Sequence, residues 1–343
     1  MSEQPVTEET LQEPLADTEA VIDGDARHVT WHRLADYAAL IFVILMVIAF
    51  SAAMPGKFAT ANNFENLVSD NAISGILAIA ALFPLACGEF DLSVAANLGI
   101  CSVFSAHLAS TGTPLVAVIV LTLLLGTVIG AINAFFVVIV RVNSFIATLA
   151  LATALAGGNL AITGGQTIYQ GISTSITNIA TTSIGGFQIV ALYFVVIAVV
   201  AWYVLERTPY GRYLRATGFG RAAARLSGIS TGRYMAGSLV IAGLVAGLCG
   251  FLQTAEYGSA TPSVGPSFLL PAYAAAFLGT TTIRRGAFNV WGTVVGVALL
   301  AVGINGLALA GTPNWLSQVF DGAALLAAVS FAALVSRRLG SRA

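Results

Sequence analysis

Apolar residues in this chain run in long blocks without alternation, and polar residues are confined to the gaps between them. The blocks fall at Ala35–Met54, Ala72–Cys87, Leu92–Ala109, Leu115–Val140, Phe145–Thr163, Gln188–Leu205, Met235–Ala255, Phe268–Ile283, Val290–Ala310 and Trp315–Val335. A helix needs about 20 mostly apolar residues to cross a bilayer, whereas a barrel strand alternates with period two. The pattern therefore predicts an all-α integral membrane protein of about ten transmembrane helices, which satisfy their backbone polar groups inside lipid. Two blocks, Ala72–Cys87 and Leu92–Ala109, are short for the bilayer and are parted only by Gly88–Asp91, which reads as a discontinuous or re-entrant pair. A Gly- and Pro-containing stretch, Gly258 to Pro266, separates the seventh and eighth blocks on the opposite face. Breaks so placed are compatible with an inverted repeat and a solute route between its halves.

Charge gives the blocks a direction. Only 9% of the 343 residues are charged and 57% are hydrophobic, against about 25% charged in soluble domains. With the N-terminus in the cytoplasm, Arg27, Arg33, Arg141, the six arginines from Arg207 to Arg233, Arg284, Arg285, Arg337, Arg338 and Arg342 all face inward, and Lys57 alone lies outside. That asymmetry obeys the positive-inside rule and places both termini in the cytoplasm. The first 25 residues carry eight acids and no base, so residues 1–30 read as a disordered acidic cytoplasmic tail. A basic, apolar secretory leader is absent, and the first apolar block stays as a membrane helix. Residues 31–343 then form a single transmembrane domain with a basic cytoplasmic loop at 207–234.

Enzymatic chemistry finds no foothold in the pattern. Cys87, Cys101 and Cys249 lie inside apolar blocks without metal or disulfide spacing, His28 and His32 are juxtamembrane, and His107 is alone. Lys57 is the only lysine and is followed by Phe58, so a phosphate loop is missing and no cofactor is expected on this chain; ATP would be bound by a partner. Gly126 with Gly130, Gly243 with Gly247, and Gly292 with Gly296 have the spacing that lets helix backbones approach closely in lipid. Asp91 stands where it could cap a helix starting near Leu92; the alternative, for Asp91 and Glu89 alike, is a polar element on a transport path. Glu256 and Asp321 pose the same question, while Asn133, Gln253 and Asn305 are read as helix–helix hydrogen-bonding groups.

In the loop Arg207 to Arg233, Pro209 and Gly211 break the helix leaving the membrane. Gly220 then opens a short Ala-rich segment, Arg221-Ala222-Ala223-Ala224-Arg225-Leu226-Ser227, and Gly228 stops it. Two turns of helix are marginal in water alone, so the segment needs a surface to dock on. That surface is either anionic lipid or a cleft in a cytoplasmic partner, with Ala222, Ala223 and Ala224 entering, Leu226 as anchor and Arg221 and Arg225 at the rim.

Four blocks carry a resemblance: GEFDLSV at 88–94, NSFIATLALATALAGGNLAITGGQTI at 143–168, TPYGRYLRATGFGRAAARLSGI at 208–229, and the run from FLGTTTIRRGAFNVWGTVVGVALL to GINGLALAG ending at 311. In order and spacing they resemble the ribose-type monosaccharide permeases of bacterial ABC importers. Glu89, Phe90 and Ala95 depart from that family's usual G-G-I-D-L-S-V-G, Asn143 and Ser144 stand where a proline pair is common, and Arg285 interrupts a stretch that is often glycine-rich. The resemblance implies a type II ABC-importer-like fold and a dimer with a second copy or a related permease, in the bacterial inner membrane. It also implies a cytoplasmic ABC ATPase subunit and a sugar-binding protein as partners, with no nucleic acid among them. By the same resemblance Gly220, Arg221, Ala222, Ala223, Ala224, Arg225, Leu226, Ser227 and Gly228 form the coupling helix. Asp91, Ser93, Gln166 and Asn305 are the candidates to line the translocation path. The function implied is import of a small polar solute, most readily ribose or another pentose or hexose, by alternating access; the alternative is a secondary transporter driven by an ion gradient.

Overall fold

A computed structural model describes residues 37–284, 286–313 and 315–340. The expected acidic tail therefore lies outside the described residues, as does Arg285. The chain forms α1 (Ala38–Ala53), α2 (Ala61–Asp70), α3 (Ala72–Ala86), α4 (Ser93–Ser110), α5 (Leu115–Ala134, prolonged by a π-helical turn over Phe135–Val140) and α6 (Ser144–Thr163). A short α7 (Thr174–Thr181) and a hairpin of β1 (Ser183–Ile184) and β2 (Phe187–Gln188) lead into α8 (Ile189–Trp202), which ends in a second π-helical turn at Tyr203–Arg207. Then come α9 (Pro209–Phe219), α10 (Arg221–Leu226), α11 (Thr231–Tyr257), α12 (Pro266–Gly279), α13 (Val290–Leu309) and α14 (Trp315–Gly340).

Among the described residues, seven helical stretches are long and apolar enough to cross a membrane: Ala61–Ala86, Ser93–Ser110, Leu115–Val140, Ser144–Thr163, Ile189–Arg207, Thr231–Tyr257 and Val290–Leu309. Three shorter apolar helices, Ala38–Ala53, Pro266–Gly279 and Trp315–Ser330, fall on the remaining expected blocks. Amphipathic elements escaped the apolar pattern. Helix α2 is polar on one face and buries Leu67 and Ser69 on the other, with Thr60 accepting at its N-cap from the Asn63 amide. The helix leaving the membrane ends at Arg207, so the break expected at Pro209 and Gly211 is present, and the same residues begin a new helix. Pro209 occupies the first turn of α9, where its missing N–H costs nothing, and the Thr208 hydroxyl accepts from the Gly211 amide.

Helix α3 is the spine, buried from Ala72 to Leu85 apart from Ser74. Helix α11 packs across it and closes on α5 through glycines. A Cβ on Gly126 would sit 2.6 Å from the Gly243 carbonyl oxygen, and one on Gly130 2.5 Å from that of Leu239. The expected pairs Gly126/Gly130 and Gly243/Gly247 thus face each other, and Asn97 of α4 ties them by donating to the Gly126 and Gly243 carbonyls at 3.1 and 3.3 Å. Helices α12 and α13 meet in the same manner, with Gly296 against Ala275 and Gly292 against Gly279.

The two chain breaks lie near opposite ends of α6. At its first turn, Ser144 Oγ accepts from the Phe90 amide (3.3 Å) and Thr148 Oγ1 from that of Leu92 (3.1 Å). Toward its last turn, Asn159 Nδ2 donates to the Pro262 carbonyl (3.2 Å), and Ile168 pairs with Ala260 just beyond. Helix α12 has only 14 residues, about 21 Å of rise against a hydrocarbon layer of about 30 Å. Gly265, just before it, packs on Ala95 and Ala96 of α4, so the chain between α11 and α12 dips into the bundle.

Candidate functional site

One end of the bundle gathers the basic loop. There the sequence places Gly88 in the left-handed region at φ 78°, turning the chain between α3 and α4 and presenting Glu89 inward. Buried Glu89 forms an ion pair with Arg221, the first residue of α10. The expected short helix between Gly220 and Gly228 is present, but Arg221 reaches inward to Glu89 rather than standing on a partner-facing rim. Arg225 Nε donates to Thr231 Oγ1 at 3.0 Å, fastening the far end of α10 to α11. Ala224 is buried against its own chain, Ala222, Ala223 and Ser227 are exposed, and Leu226 is 91% exposed. Helix α9 is anchored too, with Leu214 fully buried and Gly218 packed directly on the Ala86 carbonyl. Glu206, which the sequence reading passed over, bonds Arg215 at 3.7 Å and Arg284 at 3.1 Å, joining α8, α9 and the α12–α13 turn. Burial pushes the Arg215 guanidinium down, against the opposing pull of Glu206.

Two residues beyond Glu89 lies a polar node around Asp91. Asp91 Oδ1 accepts from the Ser93 amide (3.0 Å), the Ser93 hydroxyl (2.6 Å) and Asn133 Nδ2 (3.3 Å), and Asn133 also donates to Ser93 Oγ at 2.6 Å. Leu92, not Asp91, is the N-cap residue of α4; Asp91 sits one position earlier and holds the first helical N–H. The Tyr273 hydroxyl accepts from the Asp91 amide (3.0 Å) and donates to the Asp91 carbonyl (2.8 Å), so α12 is clamped to the break. Burial pushes the Asp91 carboxyl up to about 6, and the Ser93 hydrogen bonds pull against that shift. Tyr273 had no sequence signal, because an aromatic residue in an apolar block looks like core.

The four path candidates do not converge. Asp91 and Ser93 share the node, but Gln166 is exposed beyond the far end of α6. Asn305 forms a reciprocal amide pair with Asn63, both bonds 3.1 Å, as a helix–helix lock. A different residue stands out. Asn159, 3% exposed, has an Oδ1 without a hydrogen-bond partner among the described residues. It lines an open cleft of ≈ 440 Å³ with Thr153, Ala156, Ala96, Ser263 and Pro266, where α12 begins inside the bundle. Helix α6 itself is largely uncovered, with only 11% of its spanning window buried. Orphan polar atoms also occur at Gln253 and Asp321, and no group of three His, Cys, Asp or Glu residues among the described residues could hold a metal.

The family described as branched-chain amino acid transport system / permease component matches residues 63–329. The chain is similar to the ribose import permease protein RbsC of Haemophilus influenzae, at 30% identity over 299 residues, 86% of this chain and 92% of that protein. It is also 30% identical over 299 residues to the autoinducer 2 import system permease protein LsrD of Escherichia coli and of Shigella flexneri, covering 86% of this chain and 90% of each. No solved structure matches.

Proposed function

The chain belongs to the branched-chain amino acid transport system / permease component family, and on that premise we propose that it carries a monosaccharide inward as the membrane subunit of an ATP-driven importer. It is a multi-pass membrane transporter subunit rather than an enzyme. The observation that carries the reading is the dual attachment of α10. Its outer face offers Ala222, Ala223 and Leu226 to a partner, while its inner face is tied through Arg221 to Glu89 at the α3–α4 break. The partner is a cytoplasmic ATPase, and the basic end is the cytoplasmic face.

A shift of α10 pulls on Glu89, and two residues later Asp91 is bonded to α4, α5 and α12 at once. Helix α12 carries that displacement to its own start, beside the Asn159 cleft. These contacts run contiguously from the α10 face to the interior and supply a route along which such a switch is carried. When α12 moves and the cleft opens, the buried, unpartnered Asn159 oxygen accepts from a solute hydroxyl while alanine and glycine surfaces pass the apolar faces of the ring. A second permease copy, identical or related, walls the route along the uncovered α6, and a sugar-binding protein delivers the solute at the opposite end.

Reconstitution tests this. The chain, its ATPase and its binding protein in proteoliposomes should accumulate one labelled pentose or hexose from a panel that includes D-ribose, with strict dependence on internal ATP. Uptake driven by a sodium or proton gradient without the ATPase would overturn the proposal.

A further inference from the structure

Beside α10 the structure holds an open cavity of ≈ 850 Å³ whose charged lining residues are mostly arginine. Arg141, Arg221, Arg225 and Arg233 all contribute, and Glu89 is the one acid among the described lining residues. That carboxylate is committed to Arg221, and Arg225 is held to the neutral Thr231 hydroxyl, so the cavity keeps a net charge set by three guanidinium groups. Arg141 is positioned there by an uncommon backbone. The π-helical turn of α5 ends with Arg141 in the left-handed region at φ 67°, a conformation that bulky residues adopt rarely and that tends to persist at functional sites.

We propose that the acidic segment Glu3–Asp25 of this same chain docks into the arginine-lined cavity between α5, α10 and α11. Charge complementarity is the first argument: eight acids and no base lie in the first 25 residues, and among the described residues the cavity has three more arginines than acids. Position is the second. Helix α1 begins at this end of the bundle, since Ala38 and Ala39 border Leu278 and Thr281, near Arg284 and its Glu206 bridge. Reach is the third. Between Asp25 and Tyr37 the chain can extend about 40 Å, and the longer stretch from Glu3 to Tyr37 spans more. A tether of this kind holds its ligand at an effective concentration in the millimolar range, so a salt-sensitive contact of modest intrinsic strength is enough to fill the site. The occupied cavity flanks the exposed face of α10, so the segment and an ATPase compete for the same ground.

The test uses the full chain in zwitterionic phosphatidylcholine nanodiscs. The three native cysteines are fully buried and stay silent. Disulfide formation is compared between Gln12→Cys with Ser230→Cys, in the cavity lining, and Gln12→Cys with Phe219→Cys, exposed at the end of α9 and outside that lining. The expected result is cross-linking at least tenfold faster to position 230 than to 219. That advantage should be lost in 0.5 M KCl, in the pair Arg141→Gln and Arg233→Gln, and in a tail carrying Glu8→Gln, Glu9→Gln, Glu13→Gln and Asp17→Asn. The tail variant changes no residue of the folded bundle, so it decides the matter if the arginine variants fail to fold. Equal rates to both positions, or a preference that survives salt and charge removal, overturn the proposal. Loss of the preference in nanodiscs containing 30% phosphatidylglycerol also overturns it, assigning the cavity to lipid headgroups.

Discussion

At Asp91 one oxygen satisfies three donors inside the protein, and geometry rather than charge is what that arrangement needs. Asp91→Asn retains an oxygen in the same place, so expression, thermal unfolding and ATP-driven uptake should stay close to the parent. Asp91→Leu leaves the Ser93 amide and hydroxyl without their acceptor in the interior, at about 1–3 kcal/mol per orphaned group, and should show as a clear fall in unfolding temperature. Equal, complete loss of uptake in both variants at normal expression would indicate that the charge itself is used. Asn159 poses the converse case, since its oxygen has no protein partner to lose. Asn159→Ala should therefore fold normally yet lower the kcat/KM of uptake by about three- to tenfold, the worth of one ordinary hydrogen bond. Unchanged uptake kinetics would remove the cleft from the solute route.

Helix α10 has only six residues, so its placement depends on what grips it at each face. Ala223→Glu should leave the purified bundle intact and abolish co-purification with the ATPase, because interface cores tolerate neither overpacking nor an unpaired charge. Retention of full association would break the assignment of this segment as the coupling helix. On the inner face the ion pair is lopsided: the Glu89 side chain is 5% exposed and that of Arg221 44%. Removing Glu89 frees a cation that can turn to water, whereas removing Arg221 strands a buried carboxylate. Arg221→Ala should accordingly lower the unfolding temperature more than Glu89→Gln. Glu89→Gln should keep the ATPase bound while ATP hydrolysis and solute uptake fall out of step, measured side by side in proteoliposomes.

Over the whole molecule, continuous hydrophobicity made each membrane block legible, and glycine spacing announced which helices approach closely. Helices α2, α7 and α9 were not legible, because short amphipathic segments outside the apolar blocks look like loops until a surface covers them. Nor could the sequence pair Glu89 with Arg221, 132 positions apart, or separate Asp91 and Ser93 from Gln166 and Asn305; side chains at opposite ends of a bundle look equally plausible on a line. Asn159 was hidden for a simpler reason, since one amide in an Ala- and Gly-rich helix carries no mark of being unpaired. The meeting of α5 and α11 also bears on heredity. The nearest atoms to a Cβ on Gly126 or Gly130 belong to main chain, which no second mutation can shorten. After Gly130→Val, selection for regained growth on the transported solute should return reversion to glycine at position 130, and no suppressor elsewhere in α11. A lineage carrying this interface can reach other sequences there only by first moving two helices apart.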